Sequence, residues 1–230
     1  MKGAQGAWGM HIPDGFLDPF WIAGTYAATL AYAVYAWRRI RGLFTREQVV
    51  AMSVLAAGIF VAQMLNWPLP GGTSLHFVGG ALAGILFGPW LGFYVMALVL
   101  AVQTLVFHDG GITTLGANIL NMGIVAVLAG YYVYKAIARS LDGTRRARFI
   151  GAFLGGWLGI VLAGLAAGVE IGLSPSFPYG VEISVPVMVT WHAALGVIEG
   201  LITALVVDYL YQRHSPIVET AEKIAAYTAA

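Results

Sequence analysis

Long apolar runs dominate this sequence, and they leave few folds open other than a helical bundle in a membrane. Hydrophobic residues make up 59% of the 230 positions and charged residues only 10%, against about one quarter charged in soluble domains. A helix needs about 20 apolar residues to cross a bilayer, so the runs predict an all-α integral membrane protein, a bundle of about seven transmembrane helices. The predicted spans are residues 19–40, 47–66, 73–88, 89–107, 112–137, 149–172 and 185–211.

Lysine and arginine fall on one side of this predicted bundle. They cluster after the first, fifth and seventh spans, whereas the loops around 66–72, 108–111 and 172–184 contain neither residue. Basic loops stay in the cytoplasm, so the pattern predicts a multi-pass protein of the cell membrane with its N-terminus outside and its C-terminus in the cytoplasm. The clustered residues are Arg38, Arg39, Arg41 and Arg46, then Lys135, Arg139, Arg145, Arg146 and Arg148, and finally Arg213 and Lys223.

The third and fourth predicted spans meet at Phe87-Gly88-Pro89-Trp90. Glycine and proline permit a tight helical hairpin there, and a re-entrant pair is the alternative.

Small residues also recur at four-residue spacing, which lets helices approach closely, and most of these rows are predicted to pack inside the bundle. The rows are Ala23, Ala27 and Ala31; Gly80, Gly84 and Gly88; Gly151, Gly155 and Gly159; Gly164, Gly168 and Gly172; and Gly196 and Gly200.

A short run from Met10 to Leu17, ahead of the first span, has the pattern of a metal chelate. With Met10 as the first residue, its α-amine, the backbone nitrogen of His11 and the His11 imidazole Nδ1 can close two chelate rings around one ion. An all-nitrogen, near-square arrangement suits Ni²⁺ or Cu²⁺ and can take Co²⁺. The alternative is a histidine near the N-terminus that simply faces water.

His76 is the best candidate for the fourth nitrogen. It follows the segment Gly71-Gly72-Thr73-Ser74 at the start of the short third span, on the same outer side as His11. Thr73 and Ser74 are predicted to bond the loop backbone or to orient the imidazole. The alternative is a histidine that caps a helix with its ring in the interface.

Other polar residues in or near the spans are predicted to support this site. Asn118 and Asn121 are interpreted as amides that hold residues 10–15 by hydrogen bonds, helped by the close approach that Gly110 and Gly111 allow. Simple helix packing is the alternative for both amides. Gln63 and Asn66 end the second span on the same face and are further candidates for supporting the site.

His192 and Glu199 lie seven residues apart, so they project from one face of the last predicted helix. Ionisable residues inside a membrane are costly and usually functional. His192 is interpreted as backing the metal site, with direct ligation as the less favoured reading. Glu199 is predicted to lie too deep to reach the chelate, and either links helices by hydrogen bonds or takes part in metal transfer.

Four motifs, taken in order, resemble a known family. They are Met10-His11-Ile12-Pro13-Asp14-Gly15-Phe16-Leu17, GGTSLHFVGG at 71–80, DGGITTLGAN at 109–118 and HAALGVIEG at 192–200. With them the chain resembles the CbiM/NikM family, the substrate-binding membrane subunits of energy-coupling-factor (ECF) cobalt and nickel importers. In that family the Met-His pair begins the mature chain, whereas residues 1–9 precede it here.

The resemblance implies a transport subunit, not an enzyme, that captures Ni²⁺ or Co²⁺ outside and delivers it inward. The metal is the transported substrate, no cofactor is expected, and the name of the family links it to cobalamin biosynthesis. The implied partners are an ECF transmembrane coupling subunit, ATP-binding subunits and a small accessory membrane subunit, in a lipid bilayer and without nucleic acid. The face of Ala23, Ala27 and Ala31 is the candidate for docking the coupling subunit.

The alternative function is a stand-alone divalent-cation channel or an intramembrane metalloprotein. The sequence contains no cysteine, which removes thiolate metal sites and leaves histidine, carboxylate, amide and amine ligands. It contains neither a Walker sequence nor the His-Glu-x-x-His pattern of metalloproteases. These features favour a subunit that takes its energy from partner ATPases, and they leave nickel and cobalt equivalent.

The domain prediction follows from the chelate. Residues 1–9 are interpreted as an extension that is absent or removed in the mature protein, residues 10–214 as the transmembrane metal-binding domain, and residues 215–230 as a cytoplasmic tail. A site that uses a different fourth donor is the alternative, because in a longer chain Met10 offers only an amide nitrogen.

This interpretation predicts that a chain beginning at Met10 binds Ni²⁺ about tenfold or more tightly than one beginning at Met1, since only a free amine is a strong donor. Affinity should also fall on acidification, because protons compete for an amine of pKa about 8 and an imidazole of about 6.5. Isothermal titration of both chains and the intact mass of the natively expressed protein test this. Equal affinities, or a mature chain that begins at Met1 and binds nickel tightly, would rule out the amine as a ligand.

Overall fold

The computed structural model describes residues 11–41, 45–70 and 73–213, together with 215, 217 and 218. The described chain is mostly helical, and a two-stranded hairpin connects its second and third helices. Its helices are α1 (Pro19–Ile40), α2 (Arg46–Gln63), α3 (Gly80–Phe107), α4 (Leu115–Ile119), a π-helical segment (Leu120–Val125), α5 (Ala126–Ser140), α6 (Arg145–Leu173) and α7 (Val181–Gln212), and its strands are β1 (Asn66–Leu69) and β2 (Thr73–His76).

Local sequence explains where the first two helices begin. Asp18 caps α1, because its carboxylate accepts from the backbone N–H groups of Phe20 and Trp21, and Pro19 occupies the first helical position. A capping box formed by Thr45 and Gln48 starts α2. The first predicted span therefore matches α1 at both ends, and the second matches α2 to within a few residues.

Helix α3 reverses direction at Gly88, whose φ of 71° lies in the left-handed region that favours glycine. The two arms, residues 80–87 and 89–107, pack against each other, since a Cβ on Gly92 would lie 2.9 Å from the Ala83 backbone. The predicted helical hairpin at residues 87–90 is confirmed. A helix over 80–87 rises only about 12 Å, however, so the first arm is too short to cross an apolar layer of about 30 Å.

The β-hairpin corrects both the all-α prediction and the third predicted span. Residues 73–76 form β2, which pairs antiparallel with β1 so that His76 lies opposite Asn66. Pro68 and Pro70 lack the N–H that would continue α2, and the chain after Gln63 turns into a strand instead. The helix predicted from residue 73 thus begins only at Gly80.

The remaining spans are long helices. In the described residues, four helices are long and apolar enough to cross a membrane: Gly80–Phe107, Leu115–Ser140, Arg145–Leu173 and Val181–Gln212. The first of these is the α3 pair that folds back at Gly88, and the second is built from α4, the π-helical segment and α5. These long apolar helices belong to a multi-pass membrane protein.

The glycine rows bring the helices into backbone contact. A Cβ on Gly155 of α6 would lie 2.9 Å from the Gly130 carbonyl oxygen of α5, and one on Gly196 of α7 would lie 2.8 Å from Ile160 of α6. The prediction that these rows pack inside the bundle is confirmed for α6 and α7. Ala23, Ala27 and Ala31 of α1 are instead exposed on the outer surface of the described bundle.

The close packing of α3 predicts that Gly84→Ala destabilises the bundle, because the added Cβ would clash with the Val127 carbonyl group. Gly24→Ala is the matched control, since that position has open space around it and alanine favours a helix over glycine. Thermal unfolding in detergent should show a Tm several degrees lower for Gly84→Ala only. An unchanged Tm for Gly84→Ala would contradict this packing.

Candidate metal centre

The segment from His11 to Leu17 packs against residues 111–118 and is held there through Ile12. The Ile12 N–H donates to Asn118 Oδ1 at 3.0 Å, and its carbonyl accepts from Asn118 Nδ2 at 3.2 Å and from the Gly111 N–H at 3.1 Å. Thr114 Oγ1 also donates to this carbonyl. Asn118 therefore holds the segment as predicted, and it turns His11 into the bundle.

Asp14 fixes the middle of the segment to the loop that precedes α4. Its carboxylate accepts from the backbone N–H of Thr113 at 2.8 Å, from that of Ile112 at 3.3 Å and from the Thr113 hydroxyl. Burial alone would raise the pKa of Asp14, but these hydrogen bonds outweigh it and hold the pKa below its usual value. The carboxylate therefore stays ionised and bonded throughout the neutral pH range.

The predicted close approach at Gly110 and Gly111 is confirmed. Gly110 has a φ of +86°, and a Cβ there would lie 2.8 Å from His11 Cβ. A side chain at Gly111 would overlap Asp14. Beyond this contact Leu17 is buried against Ala117, Ile171 and Phe177. The segment consequently fits closely over the outer ends of the helices.

His11 and His76 meet beneath this segment. The distance from His11 Nδ1 to His76 Nε2 is 3.3 Å, and the two rings are inclined at 65°. The side chains are only 4% and 6% exposed. Two histidines that are 65 positions apart in the sequence thus place one nitrogen each at a shared, water-excluded point.

The other nitrogen of each ring fixes the tautomer. His76 Nδ1 donates to the Phe77 carbonyl at 2.7 Å, and His11 Nε2 donates to Gln103 Oε1 at 2.9 Å. Carbonyl oxygens only accept, so both of these nitrogens carry the proton. In neutral imidazoles the facing nitrogens, His11 Nδ1 and His76 Nε2, then carry lone pairs directed toward each other.

Such a pair of lone pairs matches a metal site. Metal–nitrogen bonds of about 2.0–2.1 Å separate neighbouring donors in a square plane by about 2.9 Å, close to the separation of His11 Nδ1 and His76 Nε2. In the part of the chain that the structure describes, no third histidine or carboxylate joins the pair to form a metal-binding cluster. Met10, the predicted amine donor, lies outside the described residues.

Thr73 and Ser74 lie in β2, where they pair with Leu69 and Pro68. His76 Nδ1 donates to the Phe77 carbonyl, and the supporting roles of Thr73 and Ser74 stay predictions. His192 is buried in α7 against Gly164, and its Nδ1 donates to the Met188 carbonyl at 2.7 Å. Its interpretation as a residue that backs the site stays a prediction.

Glu199 links α7 to the turn that carries His76. Its two oxygens accept from the backbone N–H groups of Val78 and Gly79, both at 2.8 Å. Gln63, at the end of α2, donates to the Val78 carbonyl at 2.7 Å. Glu199 therefore bonds the turn that precedes α3, and its role in linking helices or in metal transfer stays a prediction.

Asn121 does not hold the N-terminal segment, and that prediction is wrong. Its side chain donates to Glu170 Oε2 at 2.7 Å, since Asn121 lies in the π-helical segment and faces α6. Sequence reasoning missed Glu170 and also Gln103, the acceptor for His11. Each is a lone polar residue deep in an apolar run, which was the available signal.

The family model described as the cobalt uptake substrate-specific transmembrane region, CbiM, matches residues 11–217, nearly the whole chain. This chain belongs to the CbiM family. It is 54% identical over 214 residues to a NikMN protein of Archaeoglobus fulgidus, whose name gives fused nickel transport as a provisional role, covering 91% of this chain and 68% of that one. It is 36% identical to the fused nickel transport protein NikMN of Rhodobacter capsulatus, covering 90% of this chain and 63% of that one.

A solved structure supports the same assignment. The crystal structure of a truncated transition metal transporter superposes with a TM-score of 0.83 at 35% sequence identity, covering 90% of this chain and all of that chain. The CbiM-family chain is accordingly a multi-pass transmembrane component of cobalt or nickel uptake, and its relatives are named as transport proteins.

The geometry predicts different effects for the two asparagines. Asn118→Ala should weaken Ni²⁺ binding about 10- to 100-fold, as expected when the support of a metal ligand is removed, because Ile12 loses both of its hydrogen bonds to Asn118. Asn121→Ala should leave the affinity within about twofold of wild type, since Asn121 bonds Glu170 instead. Isothermal titration of the purified variants, with Tm as a check on folding, measures both. Equal losses would contradict the separate roles.

Proposed function

We propose that this chain is the substrate-binding subunit of an energy-coupling-factor transporter. It captures Ni²⁺ or Co²⁺ at an extracytoplasmic chelate of Met10, His11 and His76 and delivers the ion inward when partner ATP-binding subunits drive it. The observation that carries this proposal is the approach of two buried imidazole nitrogens, His11 Nδ1 and His76 Nε2, to 3.3 Å. Membership of a cobalt-uptake family supports it.

The proposed ligands are all nitrogens. His11 Nδ1 and the His11 backbone nitrogen close a six-membered ring, the Met10 amine and the same backbone nitrogen close a five-membered ring, and His76 Nε2 completes the plane. Ni²⁺ favours a square plane of nitrogen donors and Co²⁺ accepts one, whereas Mg²⁺ and Ca²⁺ require oxygens. Gln103 and Phe77 bond the opposite nitrogen of each imidazole, so that His11 Nδ1 and His76 Nε2 face the proposed ion.

The proposed orientation places this site outside the cell. Because the two arms of α3 fold back on each other, this hairpin returns the chain toward the side from which it came. The termini therefore stay on opposite sides, whether the short arm spans the membrane or not. The basic residues at the far ends of α1, α5 and α6 support a cytoplasmic location for that end of the bundle.

The proposed partners are a transmembrane coupling subunit, a pair of ATP-binding subunits and a small accessory membrane subunit. The exposed face of Ala23, Ala27 and Ala31 on α1 offers a flat row of small residues to a partner helix. The other glycine rows of α6 and α7 are already used inside the bundle.

The proposal predicts that His11→Ala and His76→Ala each abolish stoichiometric Ni²⁺ and Co²⁺ binding without lowering Tm. In proteoliposomes that contain the partner subunits, both should also abolish ATP-dependent uptake of radioactive nickel. His108→Asn is the matched control, because His108 is an exposed outer histidine in the left-handed region that asparagine tolerates.

Three results are decisive. Loss of binding with His76→Ala and not with His108→Asn supports the site, whereas full affinity in His76→Ala excludes it. Nickel uptake that proceeds without any ATPase partner would instead favour the stand-alone channel.

A further inference from the structure

Glu199 is a buried carboxylate that the metal site does not use directly. It lies in α7 and is only 4% exposed, yet both of its oxygens accept hydrogen bonds from backbone N–H groups, those of Val78 and Gly79. These groups precede the short arm of α3, where the first N–H groups of a helix have no partner within the helix. His76 and Phe77 directly precede Val78 and Gly79 in the chain.

One peptide group connects Glu199 to His76. The Phe77 carbonyl accepts from His76 Nδ1 at 2.7 Å, and the Val78 N–H donates to Glu199 Oε2 at 2.8 Å. This carbonyl and this N–H belong to the same peptide bond, which is planar. Any rotation of the plane that breaks the bond to Glu199 therefore also displaces the acceptor that sets the His76 tautomer.

The next peptide group is held equally firmly. Gln63 Nε2 donates to the Val78 carbonyl, and the Gly79 N–H donates to Glu199 Oε1. Gly79 has a φ of +72°, and a Cβ there would lie 2.9 Å from Ile59 of α2. The turn over residues 77–79 is thus fixed from α2 on one side and from α7 on the other.

We propose that Glu199 is a positioning residue for metal binding: by fixing the Phe77–Val78 peptide plane, it directs His76 Nε2 toward the ion. This inference rests on the proposed function, in which His76 is a ligand. A carboxylate can accept both N–H bonds, whereas an amide in its place presents one oxygen and one NH₂ group. In Glu199→Gln, the amide NH₂ group therefore faces the backbone N–H of Val78 or Gly79. Because two donors repel, the Phe77–Val78 peptide plane rotates.

The inference makes equilibrium binding the property that Glu199→Gln changes, although Glu199 itself is not a ligand. Here the substitution should weaken Ni²⁺ binding about 10- to 100-fold, the range for losing a group that orients a metal-bound histidine. The visible absorption band of bound Ni²⁺, which reports ligand geometry, should shift as well. The matched control is Glu170→Gln. Glu170 is also a carboxylate that is 4% exposed, but it accepts from Asn121 and does not bond the turn over residues 77–79.

A double-mutant cycle with His76→Ala separates positioning from general damage. Cu²⁺ is the probe for this cycle, since nitrogen sites bind it more tightly than Ni²⁺ and His11 remains available in both backgrounds. If Glu199 acts through His76, Glu199→Gln lowers the Cu²⁺ affinity of the wild-type protein but causes no further loss in His76→Ala. Glu170→Gln should change the affinity less than about twofold in either background.

Two results would overturn the inference: wild-type affinity with an unshifted Ni²⁺ band in Glu199→Gln, or an equal loss in both backgrounds. Should Glu199→Gln fail to fold, Gln63→Met replaces it in the cycle, because it releases the same turn from the α2 side, and the same two results apply. Full Ni²⁺ affinity in His76→Ala alone would instead overturn the proposed function, so the two failures can be distinguished.

Discussion

Backbone polar groups inside a membrane must find partners within the protein, and this requirement shapes the whole outer half of the bundle. Helices satisfy their own N–H and C=O groups, but an irregular segment cannot. Here two irregular stretches lie at the proposed metal site, residues 11–17 and 77–79. Side chains supply the hydrogen bonds that regular secondary structure would otherwise provide. Asn118 bonds the backbone of Ile12, and Glu199 and Gln63 bond the backbone of Val78. The polar residues of the site are therefore the reason why non-helical backbone can exist there.

Much of the fold could be predicted from the sequence, because hydropathy and capping are local. Helix α1 begins and ends where the apolar run does, and Gly88 produces the reversal that its Gly-Pro pair predicted. The β-hairpin could not be predicted from local sequence. The apolar residues between Pro70 and Pro89 fit a short transmembrane span as well as they fit a strand. Only the pairing of Asn66 with His76 decides between them, and pairing is not a local property.

The residues of the candidate site also divide into those that local sequence predicts and those that it does not. His11, His76 and Asn118 were found because they stand at predicted outer ends of spans, and the structure brings them together. Asn121 was assigned to the wrong partner, since three residues along a helix do not reveal which neighbour faces each side chain. Gln103 was missed because its contact with His11 joins residues 92 positions apart, beyond the reach of any periodicity.

The segment that carries His11 is also the cover of the pocket. His11 and His76 are almost fully buried, and residues 11–17 close over them through bonds to Asn118, Gly111 and Thr113. If His11 binds the ion as proposed, the ligand and the cover are the same piece of chain, so an ion would leave only when its own ligand is withdrawn. Residence time is then governed by the rate at which those anchoring bonds open, and a subunit built in this way exchanges its ion slowly even where equilibrium affinity is modest.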